Sequence, residues 1–137
     1  MAYRLSDWRE RLHDFLSENA RTPFQPGFFD CSLMTGSALS AMSGTDPAAP
    51  YRGNYSTIEE GLALLQADGF DDHVAFASSL FPEIPVLSAT EGDVAVVRQG
   101  NLTGLGIVLG STIAVASGAG IVQLPLTAAS QMFQVPA

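Results

Sequence analysis

An α+β domain, with helices first and an antiparallel sheet last, is predicted by three features of the sequence. Apolar residues recur at helical spacing in its first half. From Glu91 onward the period becomes that of strands, and Gly110-Ser111 and Ser117-Gly118-Ala119-Gly120 then break the apolar runs as turns. Helical and strand segments kept apart along the chain give an α+β arrangement, with the helical part over about residues 5–82 and the antiparallel part over about 92–136 of one domain spanning 1–137.

The first helix runs from about Asp7 to Asn19, with Leu5, Trp8, Leu12, Phe15 and Leu16 on one stripe and Arg9, Arg11, Asp14 and Glu18 on the wet side. Asp7 and Glu10 are spaced as a capping box. His13 sits at the edge of the stripe and reads as a surface histidine. Two prolines and a glycine make Arg21 to Gly27 a loop, which delivers the chain to Asp30 as N-cap of a second helix, about Cys31 to Met42, stopped by Gly44. Small residues over most of its circumference, among them Gly36, Ser37, Ala38, Ser40 and Ala41, let other elements approach closely and make it the central buried helix.

The segment Thr45 to Tyr55 is an ordered loop in which Arg52 either clamps an anion or, the favoured reading, ties loop carbonyls or Asp46 in place. Ser56-Thr57-Ile58-Glu59 opens a third helix to about Asp68 that buries Ile58, Leu62 and Leu65. A fourth, about Asp71 to Phe81, turns Val74, Phe76, Ala77 and Leu80 inward and ends at Pro82 and Pro85. His73, beside Asp71 and Asp72 in its first turn, reads as a solvated helix start. Strands follow at Val94–Arg98, Leu105–Leu109, Ile113–Ala116 and Ile121–Leu124, with Gln99-Gly100-Asn101 as a hairpin turn, a helical turn over Thr127–Gln131 and a last strand over Met132–Val135.

With 137 residues the chain can bury roughly two thirds of its unfolded surface, so a core needs no staples. Its single cysteine forms no internal disulfide. The balance is acidic, net charge −8, and all six basic residues are arginines, which argues against nucleic acid and anionic membranes as partners. Met1 to Arg4 lack the apolar region of a signal peptide, so synthesis in a cytoplasm without export by that route is expected. Although no charged residue follows Arg98, polar residues interrupt the apolar runs too often for a membrane span. No cofactor and no metal is expected.

Chemistry points to Cys31. At the first turn of a helix a thiol feels the positive end of the dipole, which favours thiolate, and that is where a cysteine nucleophile sits. A nucleophile needs a base, and only His13 and His73 are on offer.

Asp30-Cys31-Ser32 opening a helix, Gly92-Asp93-Val94 opening the first strand and Leu105-Gly106-Ile107-Val108-Leu109-Gly110 on the second resemble the framework of NlpC-type papain-like cysteine peptidases. With Pro23-Phe24, Thr45-Asp46-Pro47-Ala48, Arg52-Gly53-Asn54-Tyr55 and Gly69-Phe70, nearly the whole chain is similar to a family of small phage and prophage proteins of this type, encoded among tail-assembly genes. The resemblance implies a papain-like fold with Cys31 at the nucleophile position. It also puts Gly104 where the general base belongs and Ala114 to Ala116 at the orienting position, so two of three catalytic positions are empty.

The resulting expectation is a structural or interaction component of a tail tip or baseplate, made in the bacterial host cytoplasm, located in the virion tail and built on a degenerate peptidase fold, with other tail proteins as partners. The uncharged stretch Gln99 to Ala137 supports it, with Leu105, Ile107, Leu109, Ile113, Val115, Ile121 and Leu124 as interface candidates; the plainer reading is a sheet covered on one side by the protein's own helices. The competing expectations are a cysteine hydrolase cutting peptidoglycan peptides, with His73 or His13 or a neighbouring subunit supplying the base, and a tail-assembly chaperone.

Overall fold

A computed structural model describes residues 3–100 and 102–137. Four helices, α1 (Trp8–Glu18), α2 (Cys31–Ser43), α3 (Ile58–Ala67) and α4 (His73–Leu80), precede a six-stranded antiparallel sheet. Its strands are β1 (Glu83–Ile84), β2 (Val94–Gln99), β3 (Leu102–Val108), β4 (Thr112–Ser117), β5 (Gly120–Pro125) and β6 (Ala129–Phe133), in the spatial order β1-β6-β2-β3-β4-β5. The α+β order expected from the sequence is the order observed. Among the described residues no helix is long and apolar enough to cross a membrane.

Helix α2 begins where its signals say it should. Asp30 has extended backbone and its carboxylate accepts the Leu33 N–H, while Gly44 takes the left-handed conformation at φ 83° and closes the helix onto Ser40. Leu33, Met34, Ala38, Leu39 and Met42 are buried, and a Cβ on Gly36 would stand 2.8 Å from that of Ala48, so this glycine admits the following loop. The capping box expected at α1 does not form. Asp7 has φ −104° and ψ 29°, outside the extended region an N-cap needs, and its carboxylate instead takes the Arg11 guanidinium at 2.8 Å.

Strand β1 was invisible between Pro82 and Pro85, yet it pairs with Phe133 and Met132 at the sheet edge, where prolines are tolerated. The helical turn expected over Thr127–Gln131 is a tighter one over Leu126–Ala128, and the last strand starts earlier, at Ala129. Of the expected Gln99-Gly100-Asn101 turn, Asn101 lies outside the described residues; Gly100 has φ 66°.

The order of the strands bends the sheet. Strands β5 and β6 are consecutive in the chain but four places apart in the sheet, about 19 Å across if flat. The link from Pro125 to Ala129 reaches at most about 14 Å when extended, and less as a tight turn. The sheet must therefore curl. Two cores result. Val94, Val96, Leu105 and Ile107 face Leu12, Leu39 and Met42 of the helices, whereas Ala95, Val97, Val108, Ile113, Val115 and Met132 fill the inside of the curl, closed by Ile84, Val86, Leu124 and Leu126.

The interface candidates divide between these cores and the ground beside them. Leu105 and Ile107 pack under the helices with Leu109 against them, Ile113 and Val115 fill the curl with Leu124, and Ile121 packs on Phe29 and Met34. The uncharged stretch after Arg98 supplies strands that line both cores; of the seven, Leu105, Ile107, Ile113 and Val115 are buried within the chain, and Leu109, Ile121 and Leu124 are half-buried.

Two buried groups fasten the ends. Asp93, 1% exposed, accepts the Val135 and Thr90 N–H groups and lies 3.5 Å from the Arg4 guanidinium, which also donates to the carbonyls of Glu91 and Val135. Gly106 lets the curl close, because a Cβ there would lie 2.6 Å from Ile113 Cγ2 and 2.7 Å from the Ala114 carbonyl oxygen. Gly106→Ala is expected to cost about 1–3 kcal/mol, read as a lower urea midpoint. Gly118→Ala, where nothing lies within 4 Å, should leave the midpoint unchanged.

Candidate functional site

Asp30 organises the site. Its side chain is almost fully buried; one carboxylate oxygen accepts the Leu33 N–H at 2.9 Å, and the other accepts the Gly27 N–H at 3.1 Å and the Tyr55 hydroxyl. Close approaches by glycines make this possible. Gly27, at φ 85°, leaves room for the Tyr55 carbonyl, and a Cβ on Gly61 of α3 would sit 2.9 Å from the Tyr55 ring. Burial, then the hydrogen bond to Asp30, pushes the Tyr55 phenol well above its usual range, so it stays a donor. The Arg52 guanidinium meets Asp46 at 2.9 and 3.1 Å and reaches the Leu33 carbonyl, so it ties the loop, as the favoured reading had it.

Cys31 lies partly accessible in the first turn of α2. The expected lowering of its pKa is reversed. Burial pushes the thiol above its ordinary 9.0, with the charge of Asp30 adding to it, and these outweigh hydrogen bonds from the Leu105 N–H and from Ser32. A helix dipole cannot compensate for loss of water next to a carboxylate.

The sulfur is held at an open strand edge. Among the described residues strand β3 pairs with β4 only at Ile107 and Val108, so none of them forms a strand beside its outer edge from Leu102 to Gly106. The Leu105 N–H on that edge bonds toward Cys31, and the Thr103 carbonyl accepts from His73 Nε2 at 2.6 Å. Gly104 lies between them, and a Cβ there would stand 3.4 Å from Cys31 Sγ, in ordinary contact. The position assigned to a general base is thus beside the sulfur and carries no side chain.

His73 is not the solvated residue expected; it is half-buried and lines the same cleft as Cys31. Since a carbonyl only accepts, Nε2 carries a proton and the neutral ring keeps its lone pair on Nδ1. His73 is not among the groups that shift the Cys31 thiol. His13 stays on the outer side of α1, 53% exposed and 3.5 Å from Glu91, away from the cleft. Ala114 and Ala116, near the orienting position, are buried and apolar.

The cleft itself, about 250 Å³, lies between α2, α3, α4 and the start of β3. Here α3 departs from expectation. Ile58 and Leu62 are 40% and 37% exposed and no residue of α3 is buried, because its apolar face looks into the cleft and not onto the core. On α4, Ala77 is buried but Leu80 stays 41% exposed. Thr35 of α2 lines the cleft with its hydroxyl buried and without a hydrogen-bond partner. The sequence shows Tyr55 only as part of the Arg52-Gly53-Asn54-Tyr55 motif and gives Thr35 no signal, since the contact of Tyr55 with Asp30 and the burial of Thr35 arise when the following loop folds back across α2.

Tyr55→Phe should cost about 1.5–3 kcal/mol by removing a donor from a buried carboxylate. Thr35→Val should stabilise the fold by about 1–3 kcal/mol, because it removes a buried hydroxyl that has no hydrogen-bond partner among the described residues. Both are read by chemical denaturation. Alkylation of Cys31 by iodoacetamide should reach half its maximal rate above pH 9.0, since thiolate forms only past a raised pKa.

No curated protein matches the chain. A family model does, over residues 3–135, and the chain therefore belongs to the family described as Domain of unknown function (DUF6950).

Proposed function

We propose that the chain is a non-hydrolytic structural or interaction component of a bacteriophage, or phage-like particle, tail tip or baseplate, built on a degenerate NlpC-type papain-like fold. The observation that carries the non-hydrolytic part is Gly104 beside Cys31 Sγ: the sulfur has burial and a carboxylate around it, a raised pKa, and no imidazole at the position a base would occupy. The tail assignment rests on the sequence resemblance alone. In this reading other tail proteins are the partners, the virion tail is the location, and contact with neighbours falls on the apolar side chains exposed about the cleft, such as Ile58, Leu62, Leu80 and Leu102.

One observation favours a second reading, a cysteine hydrolase acting on peptidoglycan peptides. His73 shares the cleft with Cys31, and Thr103 holds its ring with Nδ1 unprotonated in the neutral form.

Cys31→Ala separates the two. Under the structural reading, particles carrying it assemble and infect as the parent does, and the purified protein releases no peptide from peptidoglycan. Loss of a parental cleavage activity in both Cys31→Ala and His73→Gln would establish the hydrolase instead. Finding the protein absent from purified particles by mass spectrometry would make it an assembly chaperone. Gly104→His supplies the missing base next to the sulfur and is expected to raise iodoacetamide alkylation at pH 7 by about tenfold or more.

A further inference from the structure

The cleft is an apolar groove set in an acidic part of the chain. Its walls come from one face of each of two helices: Ile58, Leu62 and Leu65 of α3, and Phe76 and Leu80 of α4, each at spacing that aligns side chains along the helix. Such a face is ordinarily buried, yet no residue of α3 is. At about 250 Å³ the space lies below the roughly 300–1,000 Å³ of sites that enclose a whole small ligand, and suits inserted side chains better.

Charge narrows the occupant. From Asp30 to Asp72 the chain carries Asp30, Asp46, Glu59, Glu60, Asp68, Asp71 and Asp72 against the single cation Arg52, which Asp46 already engages. Glu59 and Asp71 are exposed and form no ion pair among the described residues; Glu59 is next to Ile58 in α3, and Asp71 adjoins Asp72 of the cleft wall. A second copy of this chain, at net charge −8, meets repulsion at that rim. An added strand is disfavoured too, because His73 and Cys31 occupy the β3 edge it would pair with. A helix in a groove remains.

We infer that the cleft between α3 and α4 docks an amphipathic helical segment of a partner protein, inserting its apolar side chains against Ile58, Leu62 and Leu80 while its lysines or arginines face Glu59 and Asp71. This rests on the structural reading above and names the chemistry of its partner. The apolar anchors supply most of the affinity, and the rim charges select sign.

The test uses the full chain and two fluorescein-labelled amphipathic helical peptides, one of leucine and lysine, the other with glutamate in place of lysine. By fluorescence anisotropy the lysine peptide is expected to bind about tenfold or more tightly than its counterpart, and to lose about tenfold in affinity on Leu62→Asp and again on the paired Glu59→Lys and Asp71→Lys exchange. Val122→Asp, on an exposed residue of β5, should leave binding unchanged, which separates the cleft from general attraction between opposite charges. Ile58→Asp repeats the test at a second exposed position, with thermal melts to show that each variant is folded. Equal binding of both peptides, or binding indifferent to Leu62→Asp and Ile58→Asp, overturns the inference; so does concentration-dependent dimerisation abolished by Leu62→Asp, which makes a second copy the occupant. If the peptides fail while Cys31→Ala particles still assemble, only the docking site falls and the non-hydrolytic reading stands.

Discussion

A buried carboxylate, that of Asp30, is the constraint from which the site follows. Out of water it must be supplied with donors, and its three come from three parts of the chain: the first turn of α2, the loop at Gly27, and Tyr55 far along the sequence. Meeting that demand fixes the start of α2, draws the loop around Arg52 across it, and sets the Tyr55 ring against Gly61, where α3 begins its course over the cleft. The same carboxylate opposes ionisation of the neighbouring thiol. One group therefore fixes the helix start that carries Cys31 and opposes the ionisation of its thiol.

The edge of β3 shows a related economy. Because β4 turns away after two paired residues, the outward-facing groups of Thr103 and Leu105 need other partners, and His73 and Cys31 supply them. Two side chains that look catalytic in the sequence are thereby engaged in completing a sheet. Gly104 between them is compatible with that use, since it leaves the sulfur close against the strand. A side chain reaching beyond a Cβ there would push between sulfur and strand, so the glycine keeps that contact one of close packing.

What the sequence disclosed was whatever local signals decide. Asp30 as cap, Gly44 as stop and the alternation over β2 to β5 were readable because each depends on residues within a few places of one another. Asp7 misled because a capping pattern competes with an Arg11 four residues on, and the exposed pair won. Whether α3 buries its apolar face depends on what lies opposite, which periodicity cannot tell: the moment of Ile58, Leu62 and Leu65 is the same over a core or over a cleft. The curl of the sheet, and with it the fate of the seven interface candidates, follows from strand order and a short link, both non-local. The sign of the Cys31 shift was missed for the same reason, since desolvation is a property of the assembled site.

The distribution of charge connects these points. The strands after Arg98 line two cores, one under the helices and one inside the curl, and these 39 residues hold no ionisable side chain. The acids are then left to the helical half, where the cleft opens. Most large apolar side chains of the strands after Arg98 are inside, Leu102 and Val122 being exposed exceptions, and in the helical half Ile58, Leu62 and Leu80 stay exposed around the cleft, whose lining Leu102 joins. At the cleft this apolar surface is accompanied by the exposed acids Glu59 of α3 and Asp71 just ahead of α4, a combination that the neutral strands do not offer.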